Sequence, residues 1–311
     1  MIELLRYTPD YKIQWDELVN SSRNGTFLFN RDYMDYHSDR FNDCSFLILR
    51  KGKIEAVLPG NFDQTTFISH QGLTYGGLIS SSKIITTDVI EIFELINKEL
   101  KKNGLSVVVY KPVPSIYHTL PAQEDIYALY KLNAVKIGCN ICSTIFQNNK
   151  IKFIESRKSG IRKSKREGVQ IVESNDFASF WEILDGNLST RFSTKPVHSL
   201  EEIILLKSRF PQNIKLYIAN QNETVVSGAV LYIMKNIVHV QYISANEKGK
   251  NIGALDLLFD ELINNLYQYI PIFDFGQSTE QMGNYLNENL IFQKEGFGGR
   301  GVVAEIYQYT L

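Results

Sequence analysis

The sequence predicts an α/β (α+β) chain of two tandem units, each a mixed β-sheet flanked by helices, and three observations carry that expectation. The order hairpin, further strand, amphipathic helix, buried strand occurs in both halves, without residue-by-residue similarity. Apolar residues make up 44% and charged residues 22% of the chain, which supplies material for real cores. The length of 311 residues suits two domains at roughly 100 to 200 residues each. Between the halves the chain turns polar, in QNNKIKFIES, so the expected division is an N-terminal unit over 1–150 and a C-terminal unit over 151–311.

The elements follow from local pattern. A short strand from Ile2 to Tyr7 leads to a helix over Lys12 to Asn20 and a shorter one near Arg31 to Ser38. The run SFLILRKGKIEAVLPGNF holds two β-rich stretches about Lys51-Gly52-Lys53, the spacing of a tight hairpin, and a further β segment runs from Thr66 towards Ile79. In TTDVIEIFELINKELKKNG, Val89, Ile92, Phe93, Ile96 and Leu100 fall on one helical face. Asp88 with Glu91 reads as a capping box, and Lys101, Lys102 and Gly104 close the helix. LSVVVYKP is a buried strand stopped by Pro112. The second half gives a hairpin about Asn220 to Glu223, the strand IVHVQYISA, the helix NIGALDLLFDELINNLYQY and the buried strand PIFDFG.

Whole-chain properties exclude several classes. A formal net charge of −1 removes any general polyelectrolyte case for nucleic-acid binding and leaves only local patches. The N-terminus MIELLRYTPDYKIQW lacks an apolar core behind a basic start, and no run of about eighteen uncharged apolar residues occurs, which points to a soluble, cytoplasmic protein. Cys44, Cys139 and Cys142 are an odd number in a long chain, against a disulfide framework and in keeping with a reducing compartment. Cys139 and Cys142 form a CxxC in a β-like run with no second ligand pair, so free cysteines are expected rather than a zinc or redox centre, and no metal is implied. No GxSxG elbow, Walker loop, HExxH or GxGxxG opens a helix.

The tail FDFGQSTEQMGNYLNENLIFQKEGFGGR is the most specific feature: an apolar strand ending in Asp-Phe-Gly, a polar loop, then Lys294 and a Gly-Phe-Gly-Gly-Arg turn. Residues Phe273 to Gly276 and Lys294 to Gly298 resemble the C-terminal signature of Fem-type aminoacyltransferases and their GNAT-like acyltransferase relatives. The resemblance implies two GNAT-like domains and an acyl donor, acyl-CoA as co-substrate, held by the turn between a strand and a long helix. Here that turn is SANEKGKNIGA, so the donor-binding residues would be Ile243, Ser244, Lys248, Gly249, Lys250, Asn251, Ile252, Gly253 and Ala254. Unpaired N–H groups at a helix start favour an anion there. The family pattern is Arg or Gln, two residues, Gly, one residue, Gly or Ala. With Gly253 central, this chain departs from it in carrying Lys250 and Leu255.

Two further stretches suit an acceptor. SRKSGIRKSKREG places Arg157, Lys158, Arg162, Lys163, Lys165 and Arg166 within ten residues, a phosphate-seeking face or a solvated one. SHQGLTYGGL offers His70, Gln71 and Tyr75 among glycines, and NGTFLFNRDYMDYHSDRF adds Arg31, Tyr33, Tyr36 and His37. The expected acceptor-binding set is Arg31, Tyr36, His70, Gln71, Tyr75, Arg162, Lys294 and Arg300, with packing as the alternative for most of the aromatics. An attacking amine must lose a proton, and Asp274 is the carboxylate first in line as base, followed by Glu280 and Glu295. Backbone N–H groups of Ile243 or Ser244 would polarise the carbonyl.

The expectation is therefore an acyltransferase, an N-acetyltransferase-like enzyme forming an amide on a small-molecule amine or nucleotide-linked cell-envelope precursor. The C-terminal unit takes the donor and the N-terminal unit the acceptor. Two alternatives stay open: an aminoacyl-tRNA-dependent transferase acting on a peptidoglycan precursor, and a degenerate acyltransferase pair that binds saccharide or peptide without chemistry.

Overall fold

Two pairs of residues in left-handed conformation set the hairpin registers. Lys51 and Gly52 have φ of 51° and 72°, and Asn222 and Glu223 have φ of 49° and 62°. Two successive positive φ values match the twist of paired strands, so Arg50 faces Lys53 and Gln221 faces Thr224 across two-residue turns. Both hairpins lie where the alternation of the sequence puts them.

The computed structural model of the chain describes residues 2–192 and 194–311. Its first elements are β1 (Ile2–Arg6), α1 (Lys12–Ser21), α2 (Arg31–Met34), β2 (Asn42–Asp43), β3 (Phe46–Arg50), β4 (Lys53–Leu58), β5 (Asn61–Asp63), β6 (Thr66–Ile68), β7 (Ile79–Ser80), α3 (Thr86–Lys102), β8 (Val107–Tyr110) and α4 (Glu124–Lys131). There follow β9 (Val135–Phe146), α5 (Glu155–Arg166), β10 (Gln170–Ser174), α6 (Phe177–Phe192), α7 (Leu200–Arg209), β11 (Ile214–Gln221), β12 (Thr224–Ile233) and β13 (Ile237–Ala245). The chain ends with α8 (Glu247–Ile252), α9 (Ala254–Glu261), a π-helical turn (Leu262–Leu266), β14 (Ile272–Gln277), β15 (Thr279–Glu280), β16 (Tyr285–Leu286), α10 (Glu288–Gly296) and β17 (Arg300–Thr310).

By contacts the chain forms two compact units that do not follow it linearly. One comprises 1–140, 279–285 and 303–311, the other 141–278 and 286–302. Sequence composition marks a single crossing near residue 150, whereas the last strand, β17, returns most of its length to the first unit. A strand that finds its hydrogen-bonding partner far away in sequence leaves no local mark.

In the first unit β1, β3, β4 and β7 form one small sheet, and β17, β8, β6, β5 and β2 lie side by side in that order. The apolar face of α3 (Val89, Ile92, Phe93, Ile96, Leu100) packs into a core with Phe46, Phe67 and Val108. Asp88 is not the cap itself. The helix begins at Thr86, and Asp88, three residues past Ile85, accepts from the Ile85 N–H at 2.9 Å and pairs with Arg50. Gly104, at φ 79°, ends the helix as expected. The expected strand from Thr66 to Ile79 is reduced to β6 and β7. Between them the glycine-rich stretch is irregular, because Gly76 abuts the Ser69 carbonyl too closely for any side chain.

In the second unit the strands run β10, β11, β12, β13, β14, β9. Phe259, Phe273, Phe275 and Phe297 pack ring against ring at centroid distances of 5.0 to 6.2 Å and anchor β14 to α9. The single long helix predicted after β13 is broken at Gly253, which takes φ 73° between α8 and α9. The break has a packing cause. A Cβ at Gly253 would lie 2.7 Å from Cα of Gly160 in α5, and one at Gly249 would strike the Val226 carbonyl. Ser164 Oγ donates to the Ile252 carbonyl at 2.8 Å, and Arg157 pairs with Asp256 at 2.8 Å. Helix α5 therefore lies directly on the start of α9. Gly253→Ala adds both left-handed strain and a backbone clash, so it should lower unfolding stability by about 2 to 5 kcal/mol, read from urea melts of the two proteins.

Candidate active site

Where the parallel ladder of the second unit ends, two ionisable side chains meet. β13 and β14 pair as Ile237↔Ile272, Val238↔Phe273 and His239↔Asp274. Past that pair no backbone hydrogen bond joins the two strands among the described residues. Each strand is turned away by an irregularity with its outer neighbour. β13 has Gln241 as an extra residue against β12, and β14 loses register against β9 between Asp274 and Gln277, where Gly276 takes φ 69°. A gap opens between the arm Val240–Ala245 and the arm Phe275–Gln277, with His239 and Asp274 at its apex.

Asp274 is 1% exposed, and a carboxylate so placed needs partners on every side. Thr144 Oγ1 donates to it at 3.0 Å, the Gly276 N–H at 3.0 Å and His239 Nδ1 at 2.8 Å. An ionised carboxylate only accepts, so Nδ1 carries the proton that faces Asp274. His239 is 9% exposed, so it reaches solvent where its carboxylate partner does not. A Cβ at Gly276 would sit 3.0 Å from His239 Cε1, so the glycine also makes room for the ring. Asp274, singled out as a base, is thus sealed behind His239, a residue absent from the expected set. The sequence held one signal for it, a lone histidine in the apolar run IVHVQY, at the same position in its strand as Asp in IFDF.

Lys294 of α10 closes the other side. It is 4% exposed and donates to the carbonyls of Gly276 and Gln277 at 3.0 and 2.5 Å, pinning the irregular turn of β14. It is a brace for that turn, and Arg300 is exposed, donating to the Gly299 carbonyl at 2.6 Å. The Cys142 thiol is pushed up to about 12 by burial and then by the charge of Asp274. All three cysteines are free, with Cys44 buried and Cys139 and Cys142 partly exposed. No group of His, Cys, Asp and Glu suited to a metal occurs among the described residues.

The first unit repeats the ladder without the gap. β6 and β8 pair in parallel as Thr66↔Val107, Phe67↔Val108 and Ile68↔Val109. Past this point the chain fills its own opening. Ser69 N donates to the Val109 carbonyl at 3.0 Å, Lys111 N to Ser69 Oγ at 2.7 Å and Gly76 N to the Lys111 carbonyl at 2.9 Å. The positions matching His239 and Asp274 hold Ile68 and Val109.

The residues expected to bind the donor divide by role. Ile243 and Ser244 stand on the open arm of β13. Asn187 of α6, not anticipated, donates to Ser244 Oγ at 2.7 Å and to the Ala245 carbonyl at 2.9 Å, and accepts from Lys250 at 2.9 Å. Gly249 and Gly253 are packing glycines, and Ile252 and Ala254 are core. Lys248 and Asn251 are exposed. The Gly249 N–H is already taken by the Asn246 cap at 2.8 Å, and Asp256 puts a carboxylate into the first turn of α9. The start of α8 also borders a cleft of about 620 Å³ whose charged lining residues, Asp176, Glu182, Glu223 and Glu247, are all acidic.

Of the expected acceptor residues, Arg31 and His70 share a cleft of about 260 Å³ with His37, Phe41, Asp35 and Asp43 in the first unit. Arg31 bridges Asp35 and Asp43 at 2.7 and 2.8 Å. His70 stacks on His37, centroids 5.5 Å apart, and Tyr36 stacks on His37 at 4.2 Å. Burial pushes the His70 pKa down to about 3, so the ring is neutral. Gln71 is occupied with Asn61 at 2.8 and 2.7 Å, and Tyr75 is core, bonded to Thr26 at 3.2 Å. Arg162 lies exposed on α5, paired with Glu155 at 2.6 Å.

Burial also pushes the Lys294 pKa down to about 8. Between that value and the ordinary lysine value near 10.5 the unfolded chain binds the extra proton, so stability should rise with pH across this window. The full effect is about 3 kcal/mol. Comparing denaturant melts of the wild type and Lys294→Met from pH 7.5 to 10.5 should show a shallower rise in the variant.

No protein-family model matches the chain, and no curated protein sequence does. Solved structures do. A crystal structure of FemX matches with TM-score 0.70 at 11% identity, over 99% of this chain and 97% of that one. L-PGS from Bacillus licheniformis matches with TM-score 0.63 at 12% identity, over 98% and 92%. A tandem GNAT protein from the clavulanic acid biosynthesis pathway matches with TM-score 0.54 at 10% identity, over 100% and 98%. With its two parallel ladders, one open and one filled, the chain has the tandem GNAT fold.

Proposed function

We propose that the protein is an acyltransferase that forms an amide on an amine of a cell-envelope precursor. The observation that carries this is the gap between β13 and β14 with the Thr144–Asp274–His239 chain at its apex. An imidazole whose Nδ1–H is held by a buried carboxylate has a fixed ring orientation, and in its unprotonated form it would accept a proton at Nε2. The acceptor nitrogen attacks the acyl carbonyl and the new C–N bond forms. His239 takes the proton from nitrogen, the C–O or C–S bond to the carrier breaks, and the proton passes to the leaving group. Backbone N–H groups of the open arm, about Ile243 and Ser244, would meet the developing oxyanion.

The donor belongs to the second unit, because the corresponding opening of the first is filled by Ser69 and Gly76. An aminoacyl ester, as on aminoacyl-tRNA, suits this site better than acyl-CoA. A diphosphate at the start of α8 would meet the capped Gly249 and an acidic cleft. The resemblance of Phe273–Gly276 and Lys294–Gly298 to the Fem-type aminoacyltransferase signature supports the same choice. Acyl-CoA remains the second reading, supported by the likeness to the tandem GNAT protein, which was solved without AcCoA. The cleft at Arg31, His37 and His70 is the proposed acceptor subsite.

Labelled aminoacyl-tRNA and acetyl-CoA, each offered with a nucleotide-linked muropeptide, decide the donor. Amide product from the aminoacyl ester is expected. Product from acetyl-CoA alone would transfer the assignment to the second reading, and none from either would sink the transferase. In whichever reaction runs, His239→Gln and Asp274→Asn should each lower kcat by about 10²- to 10⁴-fold with KM little changed, in samples whose melting confirms folding. Wild-type rates in His239→Gln would remove the imidazole from the mechanism.

A further inference from the structure

We propose that the second unit docks on anionic membrane surfaces through the strap and helix running from Phe146 to Arg166. In a chain of net charge −1 this segment holds eight lysines and arginines against a single acid, Glu155. Its charge is exposed: Lys150, Lys152, Arg162, Lys163, Lys165 and Arg166 all lie at the surface. Arg157 is neutralised by Asp256 and Lys165 lies 3.8 Å from Asp260, which leaves most of the basic excess uncompensated.

Charge alone would suit a nucleic acid equally, but the same segment exposes aliphatic and aromatic side chains between its lysines. Phe146, Ile151 and Ile154 are 50%, 44% and 39% exposed. Two flanks extend this apolar character. On one side Gln147 bonds the carbonyls of Ile263 and Pro271 at 3.0 and 2.9 Å, and Lys150 bonds Asn264 at 2.6 Å, which brings Leu266 and the 87% exposed Tyr269 alongside. On the other, Ile154 N bonds the Gly296 carbonyl at 3.0 Å, and a Cβ at Gly296 would meet Ile154 Cδ1 at 3.1 Å. Phe292, one helical turn earlier on that face of α10, is 61% exposed.

Exposed isoleucines gain nothing from a phosphodiester backbone. Between lysines, at the height of lipid headgroups, they and the tyrosine enter the acyl boundary while the ammonium groups meet lipid phosphates. Neither charge nor apolar area need suffice alone, since reversible anchoring commonly takes both.

Cosedimentation with phosphatidylcholine vesicles and with vesicles containing phosphatidylglycerol tests this. The wild type should sediment with the anionic vesicles only, and the double variants Lys150→Glu/Lys152→Glu and Ile151→Ser/Ile154→Ser should each bind at least tenfold more weakly. These positions are exposed, so folding is preserved and checked by melting. His239→Gln should sediment as the wild type does, which separates docking from the transfer reaction. No sedimentation with either vesicle overturns the proposal. So does undiminished binding by the isoleucine variant, binding of unfractionated tRNA in place of vesicles, or a wild-type dimer in solution that the isoleucine variant dissociates.

Discussion

A carboxylate buried to 1% exposure at the end of a parallel ladder is the constraint around which the second unit is organised. Asp274 has to be answered by three donors, and each answer fixes a different element. Thr144 ties it to β9, His239 ties it to β13, and the Gly276 N–H requires β14 to turn at once. Removing any one would take a donor from a buried charge, a penalty of roughly 1 to 3 kcal/mol. The turn imposed on β14 is also what parts it from β13. The same interaction that satisfies the carboxylate therefore accompanies the end of the β13–β14 pairing.

The brace around this point is mixed in kind. Phe259, Phe273, Phe275 and Phe297 immobilise β14 from the helix side, where each aromatic contact adds about 0.5 to 1.5 kcal/mol. Lys294 does so with two hydrogen bonds to backbone carbonyls, at the expense of burying an ammonium group. A lysine spent in this way holds backbone geometry that no side-chain packing could fix, because the groups it holds are the carbonyls of a glycine turn. The first unit shows what the ladder does without these constraints. With Ile68 and Val109 in place of His239 and Asp274, no charge needs satisfying, and Ser69 and Gly76 fill the opening with backbone hydrogen bonds and one to the Ser69 hydroxyl.

The α8–α9 turn illustrates how one sequence pattern serves two ends. Glycines before a helix suggest a phosphate cradle, and the same glycines are required wherever a second helix crosses closely. Gly253 lies against Gly160 and Gly249 against Val226, so the close approach is to protein on both counts. The acidic residues about the start of α8 reinforce that conclusion, since a carboxylate lining repels the anion that such a turn would otherwise attract.

Local pattern alone determined much of this protein. The two hairpins, the amphipathic face of α3, its glycine stop, the buried strands β8 and β14 and the tandem repetition of an α/β order are all properties of a few neighbouring residues, and all are in the structure. The tail from Phe273 to Arg300 pointed to the Fem-type fold because its strand, turn and helix are contiguous. Only tertiary structure decided the site. His239 lies 35 residues before Asp274 and Thr144 lies 130 before it, and it is strand order and register that bring them together. Asp274 by itself looked like a base; in the structure it is buried and bonded to His239, the residue proposed for that role. The glycines of the α8–α9 turn and the return of β17 to the first unit were hidden for the same physical reason. A close approach between segments distant in sequence is written in neither segment's periodicity.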